Sequence, residues 1–285
     1  MEYAVLGRTG ERVSRIGFGG ATAGLKDYLR EYDPDRDEAQ RTIVAAVEKA
    51  LELGITYFDT APAYGAGRSE RLIGEGLASA GDDVFVATKV GLKDAEDVRA
   101  SVEGSLRRLR RDQIDLLQIH GLSYSEEQTE QIMKPGGMLD QMVELKEEGL
   151  IRFIGFTSED NNPPVYRFIE DGRFDMMQVC YNLLFQHPYV PSRPFGSFYE
   201  AEAQDMGIVV MRTMTSGSFQ KWVQMVNPAN EFDYNAALIQ FVLSNPLVDV
   251  ALIGMRSPER VIQDVEICEN EEGRVDIDEL YHWYV

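Results

Sequence analysis

From residue 16 onward, short runs of β-branched or apolar residues alternate with longer stretches whose apolar positions recur at helical spacing. The short runs predict eight strands: Ile16–Gly19, Ile55–Asp59, Val84–Lys89, Asp115–His120, Ile151–Thr157, Met176–Tyr181, Gly207–Arg212 and Val250–Gly254. The longer stretches predict eight helices: Asp37–Leu53, Ser69–Ser79, Ala95–Leu109, Asp140–Glu148, Pro163–Glu170, Phe198–Asp205, Tyr234–Ser244 and Pro258–Cys268. Gly54 and Gly149 stand where helix C-terminal caps are expected, and Pro163 and Pro258 stand at helix starts.

Eight alternating β and α units, with no break in composition, predict one closed (β/α)8 TIM barrel forming a single domain over residues 1–285. The rival architecture is a doubly wound open sheet, which wants a GxGxxG turn after its first strand. Here that turn reads Gly17-Phe18-Gly19-Gly20-Ala21-Thr22 and lacks the third glycine. Ahead of the first barrel strand, two short alternating runs flank Thr9-Gly10 and predict a β-hairpin that closes the barrel bottom. The longest irregular stretches, 20–36, 121–137, 186–196 and 213–233, follow strands, which places them at the catalytic face of a barrel.

The formal net charge is -20, from 48 acidic and 28 basic residues. Such a surface repels phosphate backbones and anionic lipid, so neither nucleic acid nor a membrane is the expected partner. No apolar run approaches the ~18–20 residues that span a bilayer. The N-terminal MEYAVLGRTGERVSR lacks the continuous apolar stretch of a signal peptide. Cys180 and Cys268 are far apart and form no CxxC, which fits reduced thiols in a core. A cytoplasmic location follows as an expectation, and many carboxylates beside few lysines suit a salt-rich cytoplasm. Oligomeric state is not written in the sequence.

Several apolar strand runs close on a polar residue. ITYFDTAPAYG carries Asp59 with Tyr64 just beyond it, VFVATKVG carries Lys89, IDLLQIHG carries His120, and MMQVCYN encloses Gln178. A lysine at the end of a buried strand is costly without a partner, and Asp59, one strand away, is the natural one. A cationic Lys89 beside Tyr64 is expected to lower the pKa of the phenol, giving a proton donor or acceptor. No HExxH, clustered Cys/His or activated Ser or Cys is present, so metal-dependent hydrolysis and acyl-enzyme chemistry are not expected.

These residues also carry a resemblance. LGRTGERVSRIGFGG, FDTAPAYGAGRSERLIGEGL, ATKVG, DLLQIHG, IRFIGFTS, MMQVCYN and ALIGMRSPERV follow one another in the order found in aldo-keto reductases, and the chain resembles that family over nearly its whole length. The resemblance implies a catalytic tetrad of Asp59, Tyr64, Lys89 and His120. It implies a nicotinamide cofactor, NADPH rather than NADH, and a small-molecule carbonyl substrate. Thr157, Ser158 and Gln178 match the positions that hold the carboxamide, Ser158 standing where many members have Asn. Arg212 stands where the family often has an aromatic residue against the nicotinamide ring. Gly20, Gly254, Arg256, Ser257, Arg260 and Asp264 complete the implied cofactor set. Gly254 allows close approach, the two arginines offer charge to a phosphate, and Asp264 replaces the Asn often found at the adenine. The implied reaction is reduction of an aldehyde or ketone. Its alternatives are the reverse oxidation of a sugar or other alcohol, and a cofactor-binding regulatory subunit with little turnover.

His187 reads as a loop-turn residue. Trp222 and Met225 are candidates for a cover over cofactor or substrate. His282, Trp283 and Tyr284 form an aromatic tail that either docks on the barrel exterior or folds over the active site, simple packing being the expected role.

Overall fold

A parallel strand covered on both faces has little room for polar side chains, and the eight apolar runs become such strands. In the computed structural model, which describes residues 1–29, 31–81, 83–191 and 195–282, β1 (Tyr3–Val5) and β2 (Arg12–Ser14) form an antiparallel N-terminal ribbon. The strands β3 (Ile16–Gly19), β4 (Tyr57–Asp59), β5 (Phe85–Gly91), β6 (Ile114–His120), β7 (Ile151–Ser158), β8 (Met176–Cys180), β9 (Gly207–Met211) and β10 (Val250–Ile253) make a closed parallel barrel. They run in chain order around it, and β10 pairs with β3 at Ala251↔Ile16 to complete the ring.

Each predicted helix is present, with ends moved by up to a few residues. Asp37–Glu52 shows why they form: Ile43, Ala46, Val47 and Ala50 fall on one face and are buried, Ala46, Val47 and Ala50 in the core that includes the barrel strands and Ile43 with Ala23 and Leu72. The third helix begins at Val98 instead of Ala95 because the side chain of Asp97 caps it, accepting from the Ala100 amide at 2.9 Å. Gly54 (φ +83°) and Gly149 (φ +79°) take the left-handed conformation expected beyond a helix end.

Three stretches expected to be irregular contain helices of their own: Ala21–Gly24, Glu126–Met133 and Ser218–Val226. The second is started by a capping box, in which Ser125 and Gln128 each bond the other's backbone amide.

The barrel interior has a floor. Leu6 and Val13, carried by the N-terminal ribbon, are buried in one cluster with Tyr57, Phe85, Leu116, Met176, Val209 and Val250. Fully burying one such aliphatic side chain is worth ~1.5–3 kcal/mol. The expected turn at Thr9-Gly10 is part of a longer loop containing the 3-10 turn Gly7–Thr9. Gly7 (φ +44°) lies so close to β9 that a Cβ there would stand 2.3 Å from the Gly207 nitrogen. With the bottom filled, the C-terminal mouth is the end of the barrel left for a site. Cys180 and Cys268 are both buried free thiols. Among the described residues no helix is long and apolar enough to cross a membrane.

Candidate active site

Asp59 ends β4, Lys89 lies in β5 and His120 ends β6, three adjacent strands whose register is set by Asp59↔Ala87 and Gly91↔His120. Lys89 Nζ donates to Asp59 Oδ1 at 2.7 Å, to Asp59 Oδ2 at 2.6 Å and to the Thr60 carbonyl at 2.8 Å. Gln118 Nε2 donates to Asp59 Oδ2 at 3.1 Å. Burial pushes the Asp59 carboxyl up and the Lys89 amine down, while each partner pulls the other back toward its charged form.

Tyr64 sits on the loop after β4, among Gly65, Ala66 and Gly67, all three with left-handed backbone. Its ring meets His120 edge-on, with centroids 5.8 Å apart and planes at 88°. Lys89 Nζ lies 5.1 Å from the Tyr64 ring centroid. The three ammonium protons are directed at Asp59 and Thr60, so the cation supports the ring face. Burial, reinforced by Asp59, holds the phenol well above its ordinary range. This differs from the lowering expected from the sequence, because desolvation comes first and the only cation pulling the other way is Arg212. His120 is driven down to about 4, first by burial and then by Lys89, so its imidazole is neutral at neutral pH.

A cavity of about 240 Å³ opens at this mouth, lined by Asp59, Tyr64, Glu159, Gln178, Arg212 and Thr213 among others. A larger groove of about 1010 Å³ lies between the 20–36 loop and Arg256 and contains none of the tetrad. The smaller cavity is the candidate site because Asp59 and Tyr64 line it. Gln178 Oε1 and Thr213 Oγ1 are buried without a hydrogen-bond partner among the described residues. An unpaired buried acceptor is costly, and a carboxamide N–H₂ in this cavity would satisfy that of Gln178, so the residues present fit a nicotinamide.

Arg212 takes a left-handed backbone (φ +61°) and turns into the cavity. Its Nε donates to Glu159 Oε1 at 2.8 Å, its Nη2 donates to the same oxygen, and its Nη1 donates to Ser216 Oγ at 2.7 Å. Glu159, the first residue after β7, was not anticipated from the sequence. Its one signal was position, a carboxylate directly beyond a strand end at the catalytic face. Gln118 was also missed, although it lies within the IDLLQIHG run.

The remaining implied residues are distributed differently. Thr157 Oγ1 donates to the Gly121 carbonyl at 2.6 Å, and Ser158 Oγ accepts from the Asp160 amide at 3.0 Å, so both hydroxyls are engaged with backbone. Gly20 is buried where a Cβ would meet Ser69 Oγ at 2.5 Å. Gly254 lines the cavity, and the close approach it permits is to Thr22, whose Cγ2 would lie 2.5 Å from an added Cβ. Arg256 binds the 20–36 loop, donating to the Thr22 carbonyl at 2.8 Å and the Tyr28 carbonyl at 2.7 Å, with its guanidinium 4.2 Å from the Tyr32 ring centroid. Ser257 caps the helix Pro258–Glu269. Within that helix Arg260 Nε donates to buried Asp264 at 2.9 Å. Burial pushes the Asp264 carboxyl up to about 7 against the pull of Arg260.

His187 lies in the loop after β8, where its carbonyl accepts from Asn161 Nδ2 at 3.3 Å. Trp222 and Met225 stand exposed on the helix Ser218–Val226 and do not line the cavity. His282 ends the helix Ile277–His282, while Trp283 and Tyr284 lie outside the described residues.

Comparison with known proteins agrees with the fold. L-galactose dehydrogenase of Arabidopsis thaliana is 30% identical over 93% of this chain and 87% of its own length. The holo form of an aldo-keto reductase from Bacillus halodurans superposes with a TM-score of 0.74 at 24% identity, covering 98% of this chain and 96% of that one. An aldo-keto reductase from Klebsiella pneumoniae in complex with NADPH gives 0.73 at 20% identity, covering 99% and 94%. Residues 15–280 match the sequence profile of the aldo/keto reductase family, and the chain belongs to that family as an NAD(P)H-dependent oxidoreductase.

Proposed function

We propose that the protein reduces the carbonyl group of a small aldehyde or ketone to an alcohol, with NADPH as reductant and Tyr64 as proton donor. One observation carries the reading: a phenol that burial keeps protonated stands at the cavity wall, edge-on to a neutral His120 and over the Asp59–Lys89 pair. The reduced dinucleotide supplies a hydride to the carbonyl carbon. Tyr64 gives its proton to the carbonyl oxygen as negative charge develops there. Lys89, fixed by Asp59, stabilises the phenolate that remains, and His120 orients the carbonyl by hydrogen bonding. Gln178 holds the carboxamide, with Thr157 and Ser158 fixing the end of the strand beside it. Arg256, Arg260 and the N-terminus of the helix Pro258–Glu269 supply the positive potential for the phosphates. The fold neighbour in complex with NADPH supports this choice of cofactor.

A second reading is oxidation of an alcohol in the same site, favoured by the likeness to L-galactose dehydrogenase over 93% of the chain. A panel of aldehydes, ketones and sugars, followed by nicotinamide absorbance in both directions with NADPH/NADP⁺ and NADH/NAD⁺, separates the two. Turnover faster in the oxidative direction at neutral pH would replace the first reading by the second. Failure to bind any nicotinamide dinucleotide would overturn both.

A further inference from the structure

Two acidic and basic partnerships meet at the cavity. Glu159 and Arg212 both line it, and Asp59 lines it with Lys89 bonded behind. Arg212 is held in place from several directions. Two of its guanidinium nitrogens meet Glu159 and the third meets Ser216, while its carbonyl accepts from Asn182 Nδ2 at 3.0 Å and from the Thr215 amide at 2.7 Å. Arg212, Thr215 and Ser216 all adopt left-handed backbone, a conformation that non-glycine residues seldom take. The chain is therefore bent to deliver this guanidinium to the carboxylate at the cavity wall.

We propose that Glu159 sets the balance of affinity between the oxidised and reduced cofactor by neutralising Arg212 inside the site; this rests on the reading that a nicotinamide ring occupies the cavity. The reaction changes the ligand's charge by one unit, since the oxidised ring is a cation and the reduced ring is neutral. A lone Arg212 at the wall repels the oxidised form, and a lone Glu159 attracts it. With both present, and with Asp59 compensating the Lys89 behind it and His120 neutral, these five groups in and around the cavity add no net formal charge. The pair is about one-third exposed, 30% for Arg212 and 29% for Glu159, so it adds little to folding stability. Its consequence is felt by a ligand.

The test titrates NADP⁺ and NADPH separately into wild type, Glu159→Gln, Arg212→Gln and the double variant, reading binding by fluorescence, with circular dichroism as the check on folding. Glu159→Gln is expected to weaken NADP⁺ relative to NADPH by roughly 10-fold, the scale of one unit charge a few ångströms away that solvent partly screens. Arg212→Gln is expected to shift the ratio the other way, and the double variant to return it close to wild type. Opposite signs are the signature, because a packing defect would weaken both forms together. If Glu159→Gln does not fold, the sign of the Arg212→Gln shift alone decides. Ratios unchanged in the folded variants, or moved in the same direction by both, would overturn the role of Glu159 while leaving the oxidoreductase reading intact. A wild-type protein that binds neither dinucleotide would overturn the functional reading itself, and this inference with it.

Discussion

The Asp59–Lys89 and Glu159–Arg212 pairs meet the same cavity, the first through Asp59 alone, and have the same formal chemistry, yet one is dry and the other wet. The side chains of the first are 4% and 1% exposed, and those of the second 29% and 30%. Lys89 gives its three protons to protein oxygens and keeps nothing for solvent. In a dry pair each charge exists only because the other is present, so removing one leaves an expensive orphan. In a wet pair water replaces the missing partner, and the change is felt mainly by whatever binds nearby. The barrel thus keeps its chemical pair where it cannot be altered cheaply and its rim pair where it can.

Breaking the dry pair should give the largest effect. Lys89→Met leaves Asp59 buried without a cation, and a loss of about 3–5 kcal/mol of stability is expected, read from denaturant unfolding. Turnover should vanish with it. A loss under ~1 kcal/mol would show that water reaches Asp59. Next comes Tyr64→Phe, which keeps the ring over Lys89 and removes the proton. The expected fall in kcat is at least ~10²-fold, with dinucleotide binding retained, measured by steady-state kinetics and fluorescence titration. Near-normal turnover would remove Tyr64 from the mechanism.

A pH series separates the neutral group from the charged ones. His120 titrates near 4 when folded and near the ordinary 6.5 when unfolded, so the unfolded chain binds the extra proton between those values. Stability should therefore fall as pH drops from about 6.5 to 4, by about 1–2 kcal/mol after allowing for its partial exposure. His120→Gln should flatten that part of the profile, and an unchanged profile would place the titration elsewhere. The smallest effect belongs to the wet pair. Glu159→Gln should cost less than ~1 kcal/mol in the same unfolding experiment, and a loss near that of Lys89→Met would erase the distinction between the two pairs.

The clustering of these side chains was legible because a charged or polar residue closing an apolar strand run costs desolvation that packing alone does not repay, and Asp59, Lys89 and His120 each stand at such a place. Helices with one apolar stripe, such as Asp37–Glu52, were equally plain. The helix Ser218–Val226 was passed over although Phe219, Trp222, Val223 and Val226 recur at helical spacing, an apolar stripe that the fold leaves unburied. Glu126–Met133 did announce itself through Ser125 and Gln128, but its eight residues sit in a stretch that otherwise looks like loop. Side-chain direction was the harder matter. Nothing local says that Arg256 reaches the carbonyls of Thr22 and Tyr28, more than two hundred residues away in the chain. Nor does the FTS sequence say that the Thr157 and Ser158 hydroxyls bond backbone, a choice made by the neighbouring loop after β6. The lowering of the Tyr64 pKa was expected from a charge whose neighbourhood was unknown; burial, which only the folded chain defines, reversed it.

The floor of the barrel adds a matter of timing. Leu6 and Val13 rest on a surface that includes Val250 and Leu252, and β3 finds one of its two edge partners only in β10. During synthesis the ribbon emerges about 240 residues before its seat is complete, an interval of roughly ten to fifty seconds at ~5–20 residues per second. Until then Leu6 covers an unfinished floor and β3 has an open edge, so the nascent chain depends on whatever shields these segments in the cell. The last strand to leave the ribosome is the one that lets the first residues find their place.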